Sequence, residues 1–182
     1  MNIILISEYR SALRYLKESF NEVQLNSVTL ITDKIPNDLK EFLASKKIEY
    51  IVTKKLTLSD IEKLNLRNSL VLSAGSPWVF SKELINKFGD NFFNVHPSPL
   101  PSMRGSVASY VILYDIRAFQ TCVHKVESGI DTGNIAYRKK FLIPSSLKVP
   151  RAVGDFLHIK NREMIKEFLS AYFEGQLLNQ TW

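Results

Sequence analysis

Cysteine is almost absent from this chain. Cys122 is the only one in 182 residues, so no intrachain disulfide can form and no cysteine-rich metal site can be built. That usage fits a reducing compartment. Histidine is scarce too, with His96, His124 and His158 alone and no HExxH arrangement, so no zinc or other metal site is expected. Glycine is missing from the whole first third, and the first is Gly75. A dinucleotide-binding unit needs close-approach glycines straight after its first strand, where this chain reads SEYRSAL. The Walker phosphate loop is missing as well. No apolar run reaches membrane-span length, and the opening MNIILIS lacks the basic flank of a signal peptide. A cytoplasmic location and no membrane partner are therefore expected. Nor is there an arginine-rich tail: the formal charge of +6, from 24 basic and 18 acidic residues, is spread along the chain. The clusters Lys46-Lys47, Lys54-Lys55 and Arg138-Lys139-Lys140 read as solvated faces. Such a balance mildly favours anionic partners but does not point to nucleic acid.

What the chain does contain is ordinary globular material, with 45% apolar residues, and its length suits one domain over residues 1–182. Asn2 to Ser7 reads as a buried strand, and residues 9–20 carry Leu13, Tyr15, Leu16 and Phe20 close to a helical period. Further strands are expected at Asn26 to Thr32, Ile48 to Val52, Ser69 to Ser73 and Phe92 to Val95. Helices are expected from Pro36-Asn37 to Ser45, after a capping box at Ser59 and Glu62, and from a Ser81 cap to Phe88. Short alternation of this kind is the grammar of a mostly parallel, Rossmann-like α/β sheet with helices on both faces. The pattern then changes. Residues 97–105 (PSPLPSMRG) form a loop, and Val107 to Tyr114 reads as a buried helix. Thr121 to Val126 and Asn134 to Ile143 form a late extended pair around ESGIDTG. A final helix is expected from Asn161 to Phe173, with Met164, Ile165, Phe168, Leu169 and Phe173 spaced to bury one face, inside a short helical extension at about 161–182.

Three residues could carry chemistry. Asn94 and His96 lie two apart at the end of the fifth expected strand, so their side chains point the same way. Ligands of open α/β sheets bind at such carboxyl ends. An imidazole can relay protons near neutral pH, and a carboxamide can donate to a developing oxyanion. Both could equally be satisfied polar residues of a strand end. Asp131, between Gly129 and Gly133, could orient His96, or could simply be a turn residue. His124 could face the same cleft or belong to the core, and His158 has no supporting context.

The block NFFNVHPSPLPSMRG followed by CVHKVESGIDTGNI resembles the core of the folate-dependent formyltransferase family, which includes the glycinamide ribonucleotide, methionyl-tRNA and nucleotide-sugar amine formyltransferases. The likeness is strong over residues 69–143 and only in outline before them. It implies that Asn94, His96 and Asp131 match the family's catalytic asparagine, histidine and aspartate. It also implies that Ser76, Pro77, Trp78, Val79 and Phe80 line a folate pocket; Ser98, Arg104 and His124, with Arg10, are the expected contacts to the other substrate. The implied reaction is transfer of a formyl group from 10-formyltetrahydrofolate to an amine, within one-carbon metabolism. Asn94 would donate to the oxyanion and His96 would share that task or move a proton, with Asp131 holding it.

PWVF, YDI and GIDTGNIAY look more like the sugar-amine branch. The expected acceptor is thus a phosphate-bearing small molecule, a nucleotide-linked amino sugar for surface polysaccharide, with glycinamide ribonucleotide as the runner-up. Glu8-Tyr9-Arg10-Ser11 departs from the glycine-containing phosphate stretch of some members, although Arg10 could meet a phosphate there. The end at Trp182 leads us to expect no tRNA substrate. A folate-binding domain without catalysis is the competing reading, and a homodimer is left open.

Overall fold

A computed structural model describes residues 2–20, 25, 27–104 and 108–177. Asn26, Gly105 and Val107, and residues 178–182 of the expected extension, lie outside them. The chain divides into two compact units: residues 1–94 with 126–128, and residues 95–125 with 129–182.

The first unit is a parallel α/β layer. Its strands are β1 (Asn2–Ile6), β2 (Val28–Thr32), β3 (Glu49–Val52), β4 (Ser69–Ala74) and the start of β5 (Phe92–His96), in the order β3-β2-β1-β4-β5. β1 lies between β2 and β4, pairing Ile4 with Thr29 and with Val71. Every residue of β4 and all but the first of β1 are buried. Unbroken apolar runs without alternation are what a strand covered on both faces requires. Helix α1 (Tyr9–Glu18) buries Ala12, Tyr15 and Leu16, spaced three and four apart, and α2 (Asn37–Ser45) buries Leu39 and Leu43.

The capping box of the short α3 (Leu58–Ile61) is shifted from the expected Ser59 and Glu62. Asp60 accepts instead from the Thr57 backbone N–H at 2.8 Å and from its hydroxyl at 2.7 Å. Thr57 is the residue still extended when the helix begins, so its amide is the one that needs a partner. At α4 (Lys82–Phe88) the expected cap is observed, with Leu84 N–H donating to Ser81 Oγ at 3.3 Å. The core of this unit gathers Ile4, Ile6, Ile31, Val71, Leu84, Phe88 and Phe92.

In the second unit the order β5-β6-β7 continues with β6 (Ala118–Lys125) and β7 (Ile135–Leu142), which pair antiparallel. β6 begins three residues before the expected Thr121, and Phe119 is buried in that added stretch. Helix α5 (Ala108–Leu113) precedes this pair. The last helix, α6, runs over Pro150–Phe173 and so begins eleven residues before the expected Asn161. Pro150 starts it because proline has no amide to leave unsatisfied there and its φ is already helical. Val153 and Leu157 then continue the buried stripe of Met164, Ile165, Phe168 and Leu169 in the N-terminal direction, whereas Phe173, expected on that face, is exposed at the helix end. Burying one such side chain stabilises by about 1.5–3 kcal/mol, enough to carry the helix through Gly154. Val153 and Leu157 pack with Val111, Phe119 and Ile143. Among the described residues no helix is long and apolar enough to cross a membrane.

Candidate active site

The second unit assembles two histidines around one aspartate. His96 ends β5, is 6% exposed, and sets Nδ1 3.6 Å from Asp131 Oδ2. His124, on β6 and 2% exposed, sets Nε2 3.4 Å from Asp131 Oδ1. The two rings meet edge to face, with centroids 6.3 Å apart.

Three local features aim these groups. A register shift between Val123 and His124 interrupts the β6–β7 ladder, and a bulge of this kind re-aims a side chain. Asp131 has φ 52°, in the left-handed region, which short polar residues such as Asp and Asn tolerate best. Gly129 permits that turn: a Cβ there would lie 2.5 Å from Thr132 Oγ1 and 3.1 Å from Thr132 Cβ.

The loop after β5 anchors His96 from the other side. His96 Nε2 lies 3.3 Å from the Met103 carbonyl, which also accepts from the Ser98 hydroxyl at 2.6 Å. A carbonyl has two lone pairs, so both donors are served. Beneath, the buried Thr121 hydroxyl is 2.9 Å from the His96 carbonyl and within hydrogen-bond reach of the Asn161 carboxamide on α6.

These surroundings set the electrostatics. Burial pushes the His96 imidazole below its ordinary value, against the opposing pull of Asp131. The Asp131 carboxyl is held below the usual carboxylate range, first by the hydrogen bond with His124 and then by the charge of His96. An imidazole neutral near pH 7 beside an ionised carboxylate can accept a proton and keep it.

The other expected site residues sit as follows. Asn94, two residues before His96 on β5, is half-buried, and its Oδ1 accepts from the Ser73 hydroxyl at 2.8 Å. That bond orients the carboxamide and presents its nitrogen the opposite way. Ser76 to Phe80 form the turn after β4, where Ser76 Oγ accepts from the Trp78 backbone N–H at 3.1 Å. Trp78 Nε1 donates to the Lys54 carbonyl at 3.0 Å, and the Phe80 ring meets Phe92 at 4.9 Å. Between these anchors Val79 is 83% exposed, and Pro77 is exposed too. Arg10 is exposed in the first turn of α1, with Nε donating to the Tyr9 hydroxyl at 3.0 Å. Ser98 is fully buried, its hydroxyl engaged within its own loop, and Arg104 is exposed at that loop's end. Among the described residues no group of three or more His, Cys, Asp or Glu side chains is arranged to hold a metal ion.

Sequence reasoning missed Ser73, Thr121 and Asn161. Asn161 was the readable one, because a lone polar residue interrupts the stripe Leu157, Met164, Ile165, Phe168 at helical spacing.

The strand order and the parallel and antiparallel pairings are those of an α/β protein, with His96 at the end of β5 set against Asp131. The chain belongs to the formyl transferase family, whose model matches residues 3–161. It is 31% identical over 157 residues to a methionyl-tRNA formyltransferase of Borrelia garinii subsp. bavariensis, a match covering 80% of this chain and 49% of that protein. The chain thus spans about half the length of that relative. Its fold resembles a formyltetrahydrofolate deformylase from Pseudomonas syringae pv. tomato, with TM-score 0.79 and 16% identity, covering 98% of this chain and 63% of that one. It also resembles an N-formyltransferase from Helicobacter canadensis in complex with folinic acid and dTDP-3-aminofucose. That match has TM-score 0.72 and 21% identity, over 98% of this chain and 66% of the other.

Proposed function

We propose that this chain transfers a formyl group from 10-formyltetrahydrofolate to an amine on a small, phosphate-bearing molecule. The observation that carries the reading is the pairing of His96 Nδ1 with Asp131 Oδ2 at 3.6 Å, in a chain that belongs to the formyl transferase family.

The turn at Ser76 to Phe80 fits a folate. Val79 stands exposed between two anchored aromatic residues, which gives a flat heteroaromatic ring an apolar surface on a turn that does not have to reorder. When bound, the folate supplies the formyl carbon and a nitrogen leaving group. The chain's own residues do the rest. Asn94, oriented through Ser73, donates its amide N–H to the oxygen on which negative charge develops. His96, held neutral by burial, takes the proton that the attacking amine loses, and that proton passes on to the departing nitrogen. Asp131 faces Nδ1, so the imidazolium formed there is stabilised by an adjacent carboxylate.

The preference for a nucleotide-linked amino sugar rests on PWVF, YDI and GIDTGNIAY, and glycinamide ribonucleotide stands beside it as acceptor. Fold likeness below 25% identity does not choose between them, and the relatives named for methionyl-tRNA add a third acceptor to the assay. The test measures tetrahydrofolate release with amino sugars linked to dTDP or UDP, glycinamide ribonucleotide, methionyl-tRNA and no amine. Amine-dependent release supports the proposal and names the acceptor. Formate release that no amine accelerates would replace transfer by hydrolysis, and folate binding without turnover would leave a binding domain.

A further inference from the structure

Both histidines around Asp131 have their outer nitrogen committed. His124 Nδ1 lies 2.7 Å from the Lys125 carbonyl, and His96 Nε2 lies 3.3 Å from the Met103 carbonyl. A backbone carbonyl only accepts, so each of these nitrogens carries a hydrogen. In a neutral ring the remaining nitrogen is then a bare lone pair. Yet those remaining nitrogens face Asp131, His124 Nε2 at 3.4 Å from Oδ1 and His96 Nδ1 at 3.6 Å from Oδ2. With two neutral rings and an ionised carboxylate, both inner contacts would oppose lone pairs in a buried place. One added proton resolves one of them.

Geometry favours the His124 side. Its inner contact is the shorter, its outer bond is shorter by more than half an ångström, and the β6 bulge aims the ring at Oδ1. We propose that His124 and Asp131 hold a shared proton at neutral pH, carried on His124 Nε2 toward Oδ1, making His124 a positioning residue that reserves Oδ2 for His96. The depressed Asp131 carboxyl, owed first to its bond with His124, is consistent with the proton residing on the ring. Among the described residues, the charged and titratable groups facing the pair are His96 from β5, Arg104 from the loop after it, and Cys122 from β6. Burial pushes the Cys122 thiol up to about 12, so it contributes no charge. β7 sets Ile135 opposite His124, and α6 brings the neutral Asn161 to Thr121.

The arrangement also has a consequence for turnover. A proton gained by His96 at Nδ1 meets an oxygen that His124 does not occupy, so the carboxylate serves both rings without turning. The assignment to His124 changes its expected role from substrate contact to support of Asp131. The positioning role rests on the formyl-transfer reading, whereas the shared proton does not.

Ring-nitrogen NMR of the whole chain, labelled with ¹⁵N-histidine, tests the proton directly. The three histidines are assigned with His158→Gln and His96→Gln. Near pH 7 the spectrum should show both His124 nitrogens protonated, and Asp131→Asn should leave a neutral ring with its hydrogen on Nδ1. A singly protonated His124 in the unmodified chain, or a spectrum unchanged by Asp131→Asn, overturns the shared proton. Kinetics test the positioning. His124→Phe should lower kcat at least about tenfold with both KM values nearly unchanged, and His124→Gln, which can still donate to Oδ1, should restore part of it. Equal kcat in His124→Phe and the unmodified chain overturns that role. Absence of formyl transfer with every acceptor would refute the proposed function and leave the NMR result to stand or fall alone.

Discussion

Replacing Thr121 by valine removes one buried hydroxyl at almost constant shape. That hydroxyl has a single proton and two neighbours, the His96 carbonyl at 2.9 Å and the Asn161 carboxamide. The structure sets Asn161 Oδ1 against the same hydroxyl, so its one proton is shared between two oxygen acceptors. Valine therefore strands one acceptor on β5 and one on α6, where Thr121 and Asn161 are at most 3% exposed. A buried polar group left without its partner costs about 1–3 kcal/mol. The carbonyl keeps its second lone pair, which places its loss near the low end. The sum is about 3 kcal/mol, or roughly 6–12 °C in melting temperature for a chain of this size. Asn161→Leu leaves the Thr121–His96 bond in place and should cost only about 1 kcal/mol. The double variant replaces a polar pair by an apolar one and should be more stable than Thr121→Val alone, with a coupling of at least about 1 kcal/mol. Chemical denaturation of the four proteins measures this. If Thr121→Val falls within about 0.5 kcal/mol of the unmodified chain, or the two changes simply add, then the relay from α6 through β6 to β5 is not supporting His96.

Asp131→Asn keeps a residue that accepts left-handed backbone, so it should fold normally while turnover falls about 10²–10⁴-fold; near-normal turnover would remove Asp131 from the mechanism. Gly129→Ala drives a methyl into Thr132, whose branched Cβ cannot swing away. It should cost about 1–3 kcal/mol and disturb Asp131, seen as a lower midpoint in denaturant together with lower kcat. Val79→Asp should raise the KM for the folate about tenfold, since losing the contact of one apolar side chain is worth about 1.5 kcal/mol, while folding stays intact by circular dichroism. For pH, burial lowers His96 in the folded chain below its unfolded value of about 6.5. The unfolded chain then binds more protons in that window, so the His96 contribution to stability grows as pH rises from the folded value to about 6.5. Denaturation across that range should show a positive slope that is reduced in His96→Gln, and an unchanged slope would contradict the assigned direction.

The parallel half of the fold was legible because burial on both faces leaves a strong mark. Ile3–Ile6 of β1 and Leu70–Leu72 of β4 are short uninterrupted apolar runs, and Ser81 before Lys82–Phe88 is a cap with its physical reason visible in the sequence. The start of α6 was not legible. The apolar face between Val153 and Leu157 is interrupted by Gly154 and Asp155, and only tertiary packing against Val111, Phe119 and Ile143 makes it worth burying. The capping box near residue 60 shows the same limit, since Thr57–Asp60 and Ser59–Glu62 have identical spacing and only the backbone conformation chooses.

The site divides along a similar line. Asn94 and His96 could be read because both sit on one strand, where a spacing of two fixes a common face. Asp131 lies 35 residues after His96, and what aims it is a left-handed turn closed by Gly129 and Thr132. His124 was harder still. Strict alternation along β6 from the buried Cys122 would give His124 a place in the core pattern and nothing more. The bulge at Val123 and His124 breaks that alternation, and no residue in the run CVHKV announces it. Chain spacing therefore reads a partner that shares an element and leaves open one that a ladder defect turns toward the site. The ring so turned, with Nδ1 already held by the Lys125 carbonyl, makes the second contact on Asp131 and leaves a single carboxylate oxygen for His96.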